Sequence, residues 1–274
     1  MGTPRPLFLG LLAAIAGTAA AQTPGQSGPT AEERGVFIAE VRQAALAYTA
    51  RLPDFLCTQV THRSSAVAQS HPPVWKPRDT LTIRLTYFEK KENYRVIRVN
   101  EKAVDKSLSQ MPGWKTMGDF GGMLRDIFAP EHHAQFDWTG GDVWNGRPVA
   151  VLAFSIDRQH SPFRSTAQKF VLKKSANWAA KGVIYADRET RRALHVAVDG
   201  INNPDSPTQD VHLVLDYAEQ PVGDHWYLLP SHSVSIVNVS GTLLKNESQF
   251  TEYRKFSADS DIRFLSPPGT ERGK

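Results

Sequence analysis

The apolar positions of this chain change rhythm twice. Between Thr30 and Tyr48 they recur at helical spacing: Phe37, Val41, Ala44, Ala45 and Tyr48 share one side, and Glu32, Arg34, Glu40 and Arg42 mark the wet one. Thr30 and Glu33 stand at capping-box spacing, so the threonine hydroxyl can accept from the Glu33 backbone while the glutamate reaches back. Pro53 closes that element. Alternation then takes over. Phe55 to Val60 reads as a strand, and Leu81, Ile83, Leu85 and Tyr87 alternate with Thr80, Thr82, Arg84 and Thr86 as a half-buried strand should. The polar turn Lys90-Lys91-Glu92-Asn93 leads to its partner over 94–99. Further strands are predicted over 133–139, 147–156, 166–174, 182–187, 191–199, 210–218, 225–239 and 246–256. Asn145-Gly146 is the strongest hairpin signal among the turns, with 187–190 and 221–224 weaker. Many short strands joined by turns after one helix predict a large, mostly antiparallel sheet, not a parallel βαβ array.

One segment breaks the alternation. Phe120, Met123, Leu124, Ile127 and Phe128 fall at i, i+3, i+4, i+7 and i+8, and Pro130 ends the run. Burying five such side chains contributes on the order of 8–15 kcal/mol relative to an extended chain. A stripe this apolar needs an apolar seat, and the hollow side of a bent sheet is the seat the pattern offers.

Composition narrows the class. Of 274 residues 41% are hydrophobic, which fits a globular chain, and a single cysteine excludes a disulfide-stapled scaffold. The balance of 32 Lys+Arg against 28 Asp+Glu comes without a basic block, which argues against a nucleic-acid partner. Residues 1–21 read as a signal peptide: Arg5 is the positive start, 7–16 an apolar run, and Ala19-Ala20-Ala21 a cleavage site, with Gln22 the first mature residue. That run is short of the roughly 20 residues a spanning helix needs, and no other stretch reaches it. The expected location is periplasmic or secreted. Residues 22–29 read as a Pro/Gly/Ser linker, 30–265 as one domain and 266–274 as a disordered tail. The one thiol, Cys57, reads as a small buried hydrophobe in its strand.

Chemistry is sparse. There is no Gly-x-Ser-x-Gly elbow, no phosphate-binding glycine loop and no His-Glu-x-x-His, so no catalytic residue, metal site or cofactor is assigned. His132 and His133 would face opposite ways in a strand, and His212, His225 and His232 would meet only in one register. Asp137, Asp142, Asp157 and Asp216 read as solvated carboxylates, although a glycosidase pair carries no local signature. The stiff loop 71–77 carries Trp75, either a rim contact or an inward anchor. Six Trp, seven Tyr and thirteen Phe are spread over most strands, either as core filler or as the lining of an apolar cavity suited to a fatty chain.

Several stretches resemble a family of secreted acidobacterial proteins with no assigned activity: LPDFLCTQVTHR, DTLTIRLTYFEKKENYRVIRVN, GDFGGMLRDIFAPEHHAQFDW, KGVIYADRETRRALHVAV and FTEYRKFSADSDIRF, which cover much of 50–265. More remotely, the order of elements resembles the periplasmic lipoprotein-carrier, LolA-like superfamily. It rests on the early helix, the inserted apolar helix and the strand–turn–strand Gly182-Val183-Ile184-Tyr185-Ala186-Asp187 with Arg188-Glu189-Thr190. The resemblance implies a mainly β (α+β) fold: a curved, unclosed antiparallel β-barrel of about eleven strands, with two or three helices on or in its concave face. The Pro-rich loop at 72–77 and the length of the chain depart from it.

The leading reading is a non-enzymatic, monomeric, exported protein that holds an acyl chain or a lipoprotein-like cargo in an open barrel. Its ligand or lid residues would be Phe120, Met123, Leu124, Ile127 and Phe128 on the helix and Leu81, Ile83, Leu85 and Tyr87 on the wall. The alternatives are an envelope interaction or sensor protein that binds a polypeptide at a sheet edge, and an envelope hydrolase with a dispersed acidic site.

Overall fold

The computed structural model describes residues 28–169, 172–201 and 208–256. The expected signal peptide, most of the linker and the expected tail lie outside these residues. The chain opens with α1 (Ala31–Leu46), and Thr30 and Glu33 close the capping box from both sides at 3.2 and 2.7 Å. A four-residue helical turn, α2 (Tyr48–Arg51), follows before Pro53. Four strands come next: β1 (Phe55–Val67), β2 (Lys76–Phe88), β3 (Lys91–Val99) and β4 (Lys102–Ser107). After the helix α3 (Gly122–Phe128) come β5 (Gln135–Trp144), β6 (Arg147–Ile156), β7 (Arg164–Lys169), β8 (Leu172–Asn177), β9 (Ala179–Asp187), β10 (Ala193–Ile201), β11 (Gln209–Val222), β12 (His225–Val239) and β13 (Thr242–Lys255).

Eleven strands form one sheet in the order β4-β3-β2-β1-β13-β12-β11-β10-β9-β6-β5, and β7 with β8 makes a separate hairpin. Every pairing is antiparallel, and β4 and β5 do not meet, so the sheet is unclosed. It must also be curved. Eight strand spacings separate β2 from β5, about 38 Å if the sheet were flat. Yet Phe120 touches Tyr87 of β2 at a ring separation of 6.2 Å, and Phe128, one short helix later, stacks on Phe136 of β5 at 5.0 Å. A seven-residue helix is only about 10 Å long. One segment reaches both sides because the wall bends around it.

Turn chemistry sets the hairpins. Asn145 and Gly146 both take positive φ, 49° and 79°, as the two-residue turn between β5 and β6 requires. Asp187 accepts from the backbone of Glu189 and Thr190 and so shapes the turn into β10. Three details differ from the sequence pattern. β4 is wholly polar apart from Ala103 and Val104, so it carries no alternation to read. The expected strand 166–174 is instead the hairpin of β7 and β8. His132 and His133 lie in a helical turn, with His133 at φ 52°, and not in a strand, because Pro130 starts a new turn after α3.

The core divides in two. One cluster joins Phe55, Cys57, Leu81, Ile83, Leu85, Tyr87, Tyr94, Val96, Phe120, Phe250 and Tyr253. The other joins α1 (Phe37, Val41, Ala45) and α3 (Leu124, Ile127, Phe128) to β5, β6 and β9–β12. Burial pushes the Cys57 thiol well up, so it stays protonated and packs as an apolar group.

Candidate functional site

Residues 111–121 form a strap across the concave face, from the end of β4 to the start of α3. Its conformation depends on Gly113 and Gly118, both at positive φ, and on Gly121 at φ 106°. A Cβ on Gly121 would stand 2.2 Å from the Thr49 methyl, so no larger residue fits there. Trp114 pins the middle of the strap: its indole N–H donates to Ser235 Oγ at 3.1 Å, and its carbonyl accepts from the Asn246 amide at 3.0 Å. The far end is held by Glu92 of β3, whose carboxylate accepts from the backbone N–H of Gly118 at 3.0 Å and of Phe120 at 3.1 Å.

Beneath the strap the wall is polar. Gln59, Thr61, Ser233, Ser235, Asn246 and Ser248 are all buried. Thr61 and Ser248 share a hydrogen bond of 2.9 Å, and Gln59 donates to both. Such inward-facing polar groups need partners, and the strap supplies some of them. Arg63, in a bidentate ion pair with Asp79, also donates to the Pro112 carbonyl.

On the β11–β12 side the cover is incomplete. A cavity of about 390 Å³ lies between the strap, α3 and the wall, lined among others by Trp114, Met117, Met123, Phe163, Trp178 and Leu213. Phe163 and Trp178 flank the base of the β7–β8 hairpin and stack at 4.9 Å. Lys115, Arg125, Asp126 and Arg164 are the charged groups along its wall, and Asp119 is the buried one. Burial, reinforced by the neighbouring Glu92 carboxylate, lifts Asp119 to about 7. This size falls in the lower part of the roughly 300–1,000 Å³ range of small-molecule sites, and the mix of aromatics with a few polar groups is what such sites contain.

The sequence-derived site residues fall into three places. Phe120, Leu81, Ile83, Leu85 and Tyr87 pack solidly together in the first cluster, none more than 2% exposed. Leu124, Ile127 and Phe128 are buried in the second. Met123 alone lines the cavity. Trp114, Met117, Asp119, Phe163 and Trp178 carried no periodic signal, because they sit in loops or next to hairpin turns, and Leu213 was read only as one position of the strand 210–218.

The remaining chemistry lies elsewhere. Asp137 and Asp142 are on the edge strand β5, Asp157 binds its neighbour His160, and Asp216 lies on β11. Both Asp216 oxygens are engaged, by His195 at 2.6 Å and His232 at 3.0 Å. Burial opposes its ionisation, but these two hydrogen bonds outweigh that and hold its carboxyl below the usual range. His212 pairs instead with Asp199, so it does not converge with His225 and His232. Among the described residues no three His, Cys, Asp or Glu side chains gather as a metal site requires. Nor is any described helix long and apolar enough to cross a membrane.

No protein-family model matches the chain, and no curated protein does. Among solved structures it is remotely similar to a DUF1329 family protein from Desulfovibrio piger, at 10% identity and a TM-score of 0.37, covering 83% of this chain and 96% of the other. A LolA superfamily protein from Nitrosomonas europaea gives 9%, 0.34, 82% and 96%. The lipoprotein LppX of Mycobacterium tuberculosis gives 8%, 0.29, 81% and 97%. Likeness at this level speaks to neither ligand nor activity.

Proposed function

We propose that this chain is an exported, monomeric, non-enzymatic protein that holds a hydrophobic moiety, an acyl chain or a lipoprotein-like cargo, against the concave face of its open barrel. The observation that carries this reading is the cavity of about 390 Å³ walled by Trp114, Met117, Met123, Phe163, Trp178 and Leu213. The segment 120–128 acts as a plug: Phe120, Leu124, Ile127 and Phe128 anchor it, Leu81, Ile83, Leu85 and Tyr87 form its seat, and Met123 with the strap makes the displaceable cover. Burying an acyl chain of about 14 methylenes yields on the order of 11 kcal/mol at about 0.8 kcal/mol each, enough to offset movement of such a cover.

The polypeptide-binding alternative is less well supported. Strand addition needs a flat, open edge, whereas β4 presents Lys102, Asp105 and Lys106, and β5 breaks register between Trp138 and Gly140.

Protein isolated from its native host should release a lipid on solvent extraction. The extracted protein should take up a fluorescent fatty-acyl probe, with a mature N-terminus at Gln22. Absence of both lipid and probe binding would overturn the reading.

A further inference from the structure

The face of the sheet that points away from the strap carries a second cavity. On β13, Asn246 and Ser248 are buried on the strap side, so Lys245 and Glu247, which alternate with them, point outward. On β1, His62 is exposed between Thr61 and Arg63, both of which face the strap, and on β2 Thr80 lies on the other side of the strand from the buried Leu81. Register gathers these outward groups into one row, with His62 across from Thr80 on one side and from Glu247 on the other. His62 Nδ1 and Thr80 Oγ1 share a hydrogen bond of 3.0 Å, and the Lys245 ammonium donates to Glu247 at 3.1 Å. The same Lys245 Nζ lies 5.1 Å from the centre of the Trp75 ring, which the Pro-rich loop delivers just before β2 begins. Trp75, His62, Thr80, Asn100, Lys245 and Glu247 line an open cavity of about 400 Å³.

The chemistry of this wall selects among ligands. Apart from Pro77, Trp75 is the only apolar side chain on it among the described residues, so an acyl chain finds a single ring. Its charges are largely spent on one another: Arg63 is held by Asp79 and Lys245 by Glu247, which leaves Arg78 as the one cation on the wall without a carboxylate partner among the described residues. His232, just beyond the rim, also approaches Glu247, at 3.6 Å. An anion would therefore rely on one exposed guanidinium, and a cation would meet the ammonium already seated on the indole. An uncharged polyol fits better, because every hydroxyl both donates and accepts. Glu247 offers carboxylate oxygens, His62 Nε2 has no partner among the described residues, and Asn100, whose Oδ1 takes the Thr80 N–H at 2.8 Å, keeps its NH2 to donate. The row from Thr80 to Glu247 covers two strand spacings, about 10 Å, which suits a short saccharide, and the C–H face of a sugar ring packs on an indole as other apolar surfaces do.

We propose that this outer cavity binds an uncharged oligosaccharide, one sugar ring resting on the half-buried Trp75 and its hydroxyls paired with Glu247, His62 and Asn100. Prolines 72, 73 and 77 restrict the loop that carries Trp75, and Lys245 and Glu247 hold each other, so little ordering remains to oppose binding. The site lies on the other side of the sheet from the strap and stands apart from the acyl-binding reading above.

The test is calorimetric titration of the full mature chain with cellotetraose, maltotetraose, chitotetraose and trigalacturonate. At least one of the three neutral sugars should bind with a Kd of about 1 mM or below, and trigalacturonate should bind no more tightly than that sugar. Trp75→Ala should weaken the binding at least tenfold and Glu247→Gln several-fold. Trp226, 68% exposed at the far end of β12, is the control, and Trp226→Ala should bind as wild type does. Thermal melts show which variants fold, and if Trp75→Ala does not, Glu247→Gln decides. Binding of none of the neutral sugars, tighter binding of trigalacturonate, undiminished binding in a folded Trp75→Ala or Glu247→Gln, or an equal loss in Trp226→Ala would overturn the proposal.

Discussion

The two halves of the concave face share a sheet but not a way of being covered. Over β1, β2 and β13 a single ring closes the surface: Phe120 lies 5.1 Å from Phe55, 5.8 Å from Phe250 and 6.3 Å from Tyr253. Rings interlock there and leave no room. Over β11 and β12 the wall offers Ser233 and Ser235 in place of rings, and the cover is a loop tied down at Trp114, whose indole N–H donates to Ser235 and whose carbonyl accepts from Asn246. The same strap thus makes a solid core at one end and a cavity at the other. The difference lies in whether the wall beneath it is aromatic or small and polar.

The largest effect should come from breaking the solid half. Phe120→Ala removes a ring that is 1% exposed and surrounded by four others. It should cost about 3–5 kcal/mol in urea unfolding. Leu213→Ala, on the cavity wall, should cost clearly less, because a half-buried side chain beside existing empty space loses fewer contacts. Equal losses at the two sites would mean the halves are packed alike.

This contrast explains how far the sequence could be read. Most strand positions, the capping box, the Asn145-Gly146 turn and the helical spacing of Met123, Leu124, Ile127 and Phe128 follow from local physics, whereas β4, the break within 166–174 and the placing of Phe120 before α3 do not. What alternation does not reveal is which side of a strand faces inward. In β12, Ser233 and Ser235 are buried while Val234 and Ile236 are half-buried, and in β1 the inward positions include Gln59 and Thr61. A polar residue read from sequence looks solvated. Here it is covered by a strap whose path depends on glycine conformations and on contacts from distant strands. Hence Phe120 was legible as a buried ring, but its packing in a different cluster from Leu124, Ile127 and Phe128 was not. Trp114, Phe163 and Trp178 gain their role only when three loops meet.

Asp119, at the border between the halves, gives a pH signature. Its folded value near 7 stands above the ordinary 3.8, so between these the native state holds a proton that the unfolded chain has released. Stability from this group therefore falls as pH rises from about 4 to 7 and is level above that, a change of roughly 4 kcal/mol. Asp119→Asn should flatten this slope and leave the variant more stable than wild type at pH 8, as measured by urea midpoints across pH. A wild-type slope of the opposite sign in this window would place the carboxylate in a far more polar setting.

Filling the open half should separate binding from stability. Leu213→Trp adds bulk to a wall that faces empty volume, so its unfolding midpoint should stay within about 1 kcal/mol of wild type. Overpacking of a filled core would cost about 1–3 kcal/mol. Acyl-probe affinity should drop at least tenfold. Unchanged affinity in a folded variant would mean that the probe sits elsewhere on the sheet.

The smallest change concerns the tether. Ser235 Oγ receives the Trp114 indole N–H at 3.1 Å, and Ser235→Ala removes that acceptor while barely altering volume. The net cost should be about 1 kcal/mol, as for a single neutral hydrogen bond. Trp114 remains held through its carbonyl by Asn246, and Gly118 and Phe120 remain held by Glu92, so the strap should loosen at its middle without detaching. If the strap is the cover that a ligand displaces, this loosening should raise the rate of probe entry several-fold in stopped-flow fluorescence, and the Phe120 end should keep its amide protection from exchange. A variant that loses protection at both ends together would show the two halves opening as one unit. The wall beneath the strap would then set only how well each half packs, and not which half opens.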